Sequence, residues 1–257
     1  MDIGSEQENP TPAREARLAA WLEQEARPTA VAVFGCSIED LQKILETNEV
    51  PSSPITLPYQ RRLIGKGGYL YYFAPIFAQI RESNPVLAQK IESKFRPSGH
   101  SAHEALSVQE AEETAVFYAQ ARAIQSYFLA QTGIEADDVD VLILARDLIP
   151  EDYQRFLLGV GQRSLADAVE SETELAAVDN IRNQIDESRL KEILSGCLQR
   201  RGVVLYFNNG IFTPPNRAYP GHEDEHEIMV VSRRPLSANT ITGIDILSDT
   251  DRREVNL

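Results

Sequence analysis

The feature that most constrains the fold is the stretch from Pro220 to Val231, which reads Pro-Gly-His-Glu-Asp-Glu-His-Glu-Ile-Met-Val-Val. Its first half is the densest run of ionisable groups in the sequence. Its second half, Ile228 to Val231, is an apolar, mostly β-branched run that is typical of a buried strand. The chain must therefore deliver acidic side chains to the end of a buried strand, where burial and like charge perturb carboxylates. We expect a functional site at this point.

Strand-like and helix-like patterns follow one another along the chain without regular alternation. Strands are predicted at 30–34, 69–74, 139–145, 202–207, 228–231 and 241–247, and helices at 12–25, 37–47, 85–93 and 108–131. The region 151–199 has a helical pattern and is predicted to be an insert that covers one side of the domain. Irregular alternation disfavours a doubly wound parallel sheet. The sequence therefore predicts an α+β fold with a mixed central β-sheet, flanking helices and an inserted helical segment.

The domain organisation follows from the same patterns. Residues 1–28 are predicted to form a tail and a short helix, and 29–257 a single domain with its helical insert at about 150–200. Cys36 and Cys197 are the two cysteines of the chain, and they are far apart without metal-type spacing. A disulfide framework is therefore not expected, and a reducing compartment is the default.

Charge and hydropathy limit the partners. The chain has 257 residues and a formal net charge of −14. Affinity for a phosphate backbone depends on clustered Lys and Arg, so nucleic acid is disfavoured as a partner and a protein with a basic surface is favoured. No apolar run approaches the roughly 20 residues that cross a bilayer, so no membrane partner is expected. The N-terminus lacks a secretory-signal pattern. We expect a cytoplasmic protein, or one secreted into a host cell by a route that needs no signal peptide.

Two kinds of chemistry are suggested by individual short motifs of the sequence. His222-Glu223-x-x-His226 satisfies the zinc-protease pattern, in which two histidines bind the metal and the glutamate acts as general base. That pattern needs a helix, whereas Pro and Gly residues precede it and β-branched residues follow it. Cys36 is a conceivable nucleophile, but a small residue beside Gly35 is explanation enough for it. We expect no metal.

Three segments together resemble the ADP-ribosyltransferase superfamily. Gly35-Cys-Ser-Ile-Glu-Asp-Leu-Gln-Lys-Ile-Leu45 resembles its first strand-to-helix element. Gly65-Lys-Gly-Gly-Tyr-Leu-Tyr-Tyr-Phe-Ala74 is similar to an element of poly-ADP-ribose polymerases and of toxins that ADP-ribosylate thymidine in DNA. Glu227-Ile-Met-Val-Val231, with the segment 235–246 after it, resembles the closing element. The segments come in the family's order, which implies a bacterial toxin- or effector-like mono-ADP-ribosyltransferase that uses NAD as substrate.

The resemblance also implies roles for individual residues. Glu227 would stabilise the cation that forms when the nicotinamide–ribose bond breaks, and Glu225 would orient the acceptor. Gly35 would bind the nicotinamide carboxamide through its backbone, and we expect the fold to tolerate a side chain there. The other implied NAD-binding positions are the flanking pair Phe34 and Cys36, the stacking tyrosines Tyr69 and Tyr72, and the basic pair Arg61 and Arg62.

The chain departs from the family pattern at Phe34. In the family a His or Arg that holds the NAD ribose precedes the glycine, and no such residue stands at position 34. Either another residue holds the ribose, with Arg61 and Arg62 as the candidates, or the protein is a catalytically inactive binding relative.

Overall fold

The structure is a computed structural model that describes residues 10–23, 30–50, 53–54, 68–73, 81–95, 108–160, 169, 176–214, 216–220, 227–231 and 235–255. Its helices are α1 Pro10–Glu23, α2 Ile38–Thr47, α3 Pro85–Phe95, α4 Val108–Thr132, α5 Asp138–Leu148, α6 Pro150–Val160, α7 Ala176–Gln184, α8 Glu187–Cys197 and α9 Asp249–Glu254. Its strands are β1 Ala32–Cys36, β2 Glu49–Val50, β3 Ser53–Pro54, β4 Gly68–Phe73, β5 Val203–Phe207, β6 Arg217–Pro220, β7 Glu227–Val231, β8 Leu236–Ser237 and β9 Ile241–Ile246. None of the described helices is long and apolar enough to cross a bilayer.

The main sheet has the strand order β6-β7-β4-β1-β5-β9, with β3 paired to β4, while β2 and β8 form a separate pair. The registered pairs β1–β4, β3–β4, β4–β7, β6–β7 and β2–β8 are antiparallel. In β5 and β9, hydrogen bonds join Asn208 N to Thr240 O and Leu247 N to Gly202 O, so this pair also runs antiparallel. The α+β class is confirmed. The prediction of a mixed sheet is wrong for these pairs, because the helices are concentrated in one part of the chain and do not serve as crossovers between parallel strands.

The chain is arranged in two compact units. The first contains the described residues of Met1–Val33, Asp40–Val108 and Leu205–Asp245, and the second those of Phe34–Glu39, Gln109–Val204 and Ile246–Leu257. In the first unit, α1 buries Leu18 and Trp21, and Arg14 forms a 3.2 Å ion pair with Glu46 of α2. The N-terminal helix is therefore packed against its own chain.

The second unit is organised around α5, where the sequence predicts a strand. The prediction for 139–145 is wrong: the segment lies in a helix with Val141 to Ala145 all buried. A short apolar run is compatible with a buried strand and with a buried helix, and periodicity alone does not separate them. Here α5 packs against α6, α7 and α8, so apolar residues are needed all around its axis. The helical region predicted at 151–199 is thus the second part of a larger helical unit that begins with α4.

Candidate functional site

Glu227, the predicted catalytic residue, is the first residue of β7. Its Cα partner in β4 is Phe73, and Phe73 is in turn the Cα partner of Val33 in β1. These three positions form one row across three neighbouring strands, and all of them belong to the first unit. Neighbouring strands lie about 4.8 Å apart, so the row extends over roughly 10 Å. Two of the segments that carry the family resemblance, 65–74 and 227–231, therefore lie on adjacent strands, and the next strand, β1, contains the first two residues of the third segment.

The predicted tyrosines lie on β4, which is the middle strand of the three. Tyr69 is paired with Val231 and Tyr72 with Ile228. Successive positions of a strand alternate between the two faces of a sheet. Position 69 therefore belongs to the same face as position 227, whereas position 72 belongs to the opposite face. Both tyrosine positions are therefore next to β7, but they belong to opposite faces of the sheet.

Gly35 lies in β1 within the second unit, and the space beside its Cα is occupied by the backbone of α4. A Cβ added at Gly35 would lie 2.0 Å from the carbonyl oxygen of Ala115 and 2.5 Å from the amide nitrogen of Ala119. Atoms cannot approach so closely, and a rigid backbone cannot yield as a flexible side chain can. The expectation that the fold tolerates a side chain at position 35 is therefore wrong. Binding of a carboxamide by the backbone of Gly35 stays a prediction.

Phe34 and Cys36, on either side of Gly35, are both buried, with exposed fractions of 6% and 0%. The guanidinium carbon of Arg122, from α4, lies over the ring of Phe34 at 4.9 Å from its centroid. This distance is within the range of a cation–π interaction. The positive charge of Arg122 therefore lies against the aromatic ring of Phe34.

Sequence reasoning did not indicate the contact between Arg122 and Phe34. The signal was present, because Arg122 follows Ala115 and Ala119 on the face of α4 that approaches β1, and it is a long charged residue in a row of small ones. Without the structure, nothing connects this helix to β1.

Other predicted site residues lie outside the described part of the chain. These are Glu225, Arg61 and Arg62 of the ADP-ribosyltransferase interpretation, and His222, Glu223 and His226 of the zinc interpretation. The described residues that flank the histidines are Pro220, the last residue of β6, and Glu227, the first of β7. Among the described residues, no group of three or more His, Cys, Asp or Glu side chains is placed to hold a metal ion.

A second concentration of charge surrounds Asp251, which is fully buried at the start of α9. Its Oδ2 accepts hydrogen bonds from the backbone N–H groups of Arg201 at 2.8 Å and Gly202 at 2.9 Å, and from the hydroxyl of Ser248 at 2.8 Å. Its Oδ1 lies 3.6 Å from Nη1 of Arg200. These contacts join α9 to the residues that precede β5, so the cluster has a structural role.

The guanidinium of Arg200 completes the cluster around Asp251. It forms an ion pair with Glu254 and lies over the ring of Tyr127, 4.3 Å from the centroid. Burial acts to lower the pKa of Arg200, but the hydrogen bond and charge of Glu254 and the charge of Asp251 outweigh it and raise that pKa. Arg200 is therefore a permanent cation held by internal carboxylates.

Cys197 is not a candidate nucleophile. Burial raises the pKa of its thiol to about 12, although the charge of Arg200 acts in the opposite direction. The thiolate is the reactive form of cysteine, and at neutral pH it is essentially absent from such a group.

Compared with known protein families, with curated proteins and with solved structures, the chain gives no match.

Proposed function

We propose that the protein is a NAD-dependent mono-ADP-ribosyltransferase that transfers ADP-ribose from NAD to a macromolecular acceptor, with Glu227 as the catalytic carboxylate. The observation that carries the proposal is the row formed by Val33, Phe73 and Glu227. Each of these positions stands in or beside a segment that resembles the superfamily, and the three segments are far apart in the sequence. A chance resemblance would give no reason for the segments to become neighbouring strands.

The chemistry requires a carboxylate at a fixed position. The bond between C1′ of the ribose and the nicotinamide nitrogen breaks, and its electron pair leaves with nicotinamide. Positive charge develops on the ribose, and a preorganised carboxylate stabilises it. The acceptor then forms a bond to C1′ and loses a proton, and Glu225 orients it for this step. The start of a strand is a suitable place for the carboxylate, because the ladder of β4 and β7 fixes the backbone of Glu227.

The zinc-protease alternative has less support. In the zinc pattern His222 and His226 stand one turn apart on a helix. The described residues at both ends of this segment, Pro220 and Glu227, are strand residues, and Pro220 is paired with Ile228 across β6 and β7.

The acceptor is proposed to be a protein with a basic surface. The formal net charge of −14 favours association with positive partners and slows association with nucleic acid. Mono-ADP-ribosylation of a protein, of a base or of water uses the same carboxylate, so the acceptor has to be determined by experiment.

The test is incubation of the purified protein with isotope-labelled NAD and a cell lysate, followed by mass spectrometry. Labelled ADP-ribose on protein peptides, together with release of nicotinamide, is the expected result. Label on DNA or RNA would correct the acceptor, and free ADP-ribose alone would indicate a NAD hydrolase. If nicotinamide is not released and NAD does not bind, the proposed function is wrong; binding without release would identify an inactive relative.

A further inference from the structure

We propose that the segment 200–202 is a binding site for a carboxylate, that Asp251 occupies it in this structure, and that a small carboxylate ligand displaces Asp251 when α9 opens. We call the site the anion cradle and define it by the backbone N–H groups of Arg201 and Gly202 and the guanidinium of Arg200. The cradle and α9 both belong to the second unit. The proposal goes beyond the NAD chemistry, because none of these residues lies in a segment that carries the family resemblance.

The first step is the convergence of donors on one carboxylate. The N–H groups of Arg201 and Gly202 both donate to Oδ2 of Asp251, at 2.8 Å and 2.9 Å, and Nη1 of Arg200 lies 3.6 Å from Oδ1. Successive backbone N–H groups that point at one atom form an anion-binding concavity, and hydrogen bonds to an ionised acceptor are stronger than neutral ones. These donors contact the carboxylate alone, so a free carboxylate is able to satisfy them.

The second step is that the backbone of the cradle is held by contacts that do not involve Asp251. Gly202 has a φ of +77°, and a Cβ at this position would lie 2.5 Å from the carbonyl oxygen of Ala119 in α4, so its place in the fold requires glycine. The guanidinium of Arg201 donates to the backbone carbonyls of Leu198 and Arg200, at 2.9 Å each. The two N–H groups should therefore keep their direction when Asp251 leaves.

The third step is that α9 is attached by polar contacts. Its six residues, Asp-Thr-Asp-Arg-Arg-Glu, include no apolar side chain, and Asp251 is the one that is buried. The other contacts of α9 with this region are the ion pair of Glu254 with Arg200 and the cap that Ser248 forms on Asp251. A segment that buries little apolar surface has a low local stability, and its carboxylates regain hydration when it opens. An anion in solution therefore competes for the cradle whenever α9 is open.

The fourth step is that Asp251 fits the cradle incompletely. Asp251 and Arg200 are only 0% and 7% exposed, yet Oδ1 of Asp251 and Nε of Arg200 have no hydrogen-bond partner among the described residues. Arginine binds a carboxylate best through two parallel N–H···O bonds. The helix holds Asp251 away from this geometry, whereas a free carboxylate is able to move into it. Opening of α9 also withdraws Glu254 from the guanidinium, which frees further donors for the ligand.

The test is hydrogen–deuterium exchange of the full chain, followed amide by amide by NMR, in sodium chloride, formate and phosphate at one ionic strength. Matched ionic strength equalises general screening. Formate should accelerate exchange in α9, about twofold when its concentration equals its Kd, because it binds the open state. The N–H groups of Arg201 and Gly202 should not be accelerated, since formate replaces Asp251 as their acceptor. Arg253→Gln, at an exposed position of α9, should keep this response, and Arg200→Gln should lose it.

Two results of this experiment would overturn the proposal. The first is exchange in α9 that is equal in formate and chloride at every concentration, which would show that Asp251 is not displaced. The second is acceleration by phosphate without acceleration by formate, which would show that the site does not select a carboxylate. Phosphate strengthens folded structures in general, so a faster exchange in phosphate would be a specific effect.

A second measurement does not depend on the folding of Arg200→Gln. Asp251→Ala deletes the carboxylate and leaves the donors of the cradle in place, and formate has the size of the deleted group. Formate should therefore raise the urea midpoint of Asp251→Ala above its value in an equal concentration of chloride. Asp251→Asn, whose amide fills the same space, should show no such gain. If formate and chloride act alike on Asp251→Ala, the cradle does not bind a free carboxylate and the proposal is overturned.

Discussion

Phe73 and Glu227 are Cα partners at the point where β4 ends and β7 begins. Position 227 therefore lies at a defined level of the sheet, although it ends the densest run of ionisable groups in the sequence. Because the backbone of Glu227 belongs to the ladder, replacement of its carboxylate should affect chemistry far more than folding. This separation makes the catalytic assignment testable by a single substitution.

Glu227→Gln keeps the shape of the side chain and removes its charge. We expect nicotinamide release and ADP-ribose transfer to fall by about 10²- to 10³-fold or more, as on loss of a preorganised electrostatic contact. The thermal melt should be unchanged. Glu151→Gln is the matched control, because Glu151 is an exposed residue of α6 and should leave the rate unaffected. Near wild-type turnover in Glu227→Gln would disprove the catalytic role of this residue.

The strands of the sheet were predictable because their signals are local. β1, β4, β5, β7 and β9 coincide with predicted apolar runs, and α3 and α4 with predicted helical patterns. The α5 segment was not predictable, because a run such as Val141 to Ala145 obtains its conformation from the neighbours that cover it. The direction of the strands likewise depends on how distant segments pair.

The same distinction between local signals and distant contacts applies to the candidate site. Glu227 could be found from the sequence, because a charged stretch that meets an apolar strand is visible in one chain segment. The contact between Arg122 and Phe34 could not be found in this way, because it depends on the approach of α4 to β1. The tolerance of position 35 to a side chain was misjudged for the same reason: the sequence shows that a close approach is possible there, and only the fold shows that the backbone of α4 makes it.

Asp251 should be essential for stability. Asp251→Ala leaves the N–H groups of Arg201 and Gly202 without their acceptor and removes a counter-ion of the buried Arg200. Breaking a buried ion pair from one side costs about 3–5 kcal/mol, which urea denaturation would measure as a lower midpoint. Asp249→Ala, at an exposed position of the same helix, should cost about 1 kcal/mol or less. Equal stability of the two variants would contradict the structural role assigned to Asp251.

Asp138 gives a prediction about pH. Burial is the main cause that raises the pKa of its carboxyl above the ordinary value of 3.8, and the nearby charge of Asp137 adds to it, although hydrogen bonds, including one from Gln125, oppose the shift. A carboxyl whose pKa is higher in the folded state stabilises the fold when protonated. That contribution is complete below pH 3.8 and is lost as pH rises through the folded-state pKa.

Asp138→Asn should therefore be more stable than the unmodified protein at neutral pH. Its amide oxygen is able to accept the hydrogen bond that Gln125 Nε2 now donates to Asp138 Oδ1 at 2.9 Å. The difference in the free energy of unfolding, followed by urea titration across the pH range, should shrink as the wild-type carboxyl becomes protonated. Glu135→Gln, at an exposed position, should show no comparable gain. A variant that is less stable at neutral pH would show that the charge of Asp138 stabilises the start of α5.

The strongest structural prediction concerns Gly35. A Cβ at this position would lie 2.0 Å from the carbonyl oxygen of Ala115, so Gly35→Ala has to displace the backbone of α4 from β1. We expect a loss of about 3 kcal/mol or more in the free energy of unfolding, at the upper end of overpacking costs. Gly133→Ala is the matched control: its φ of +71° strains any side chain, but no atom lies within 4 Å of the added Cβ, so the cost should stay near 1–2 kcal/mol. Urea denaturation of both variants distinguishes a collision between backbones from backbone strain alone. If Gly35→Ala were as stable as the unmodified protein, α4 would not approach β1 at this point, and the position of Arg122 over Phe34 would lose its explanation.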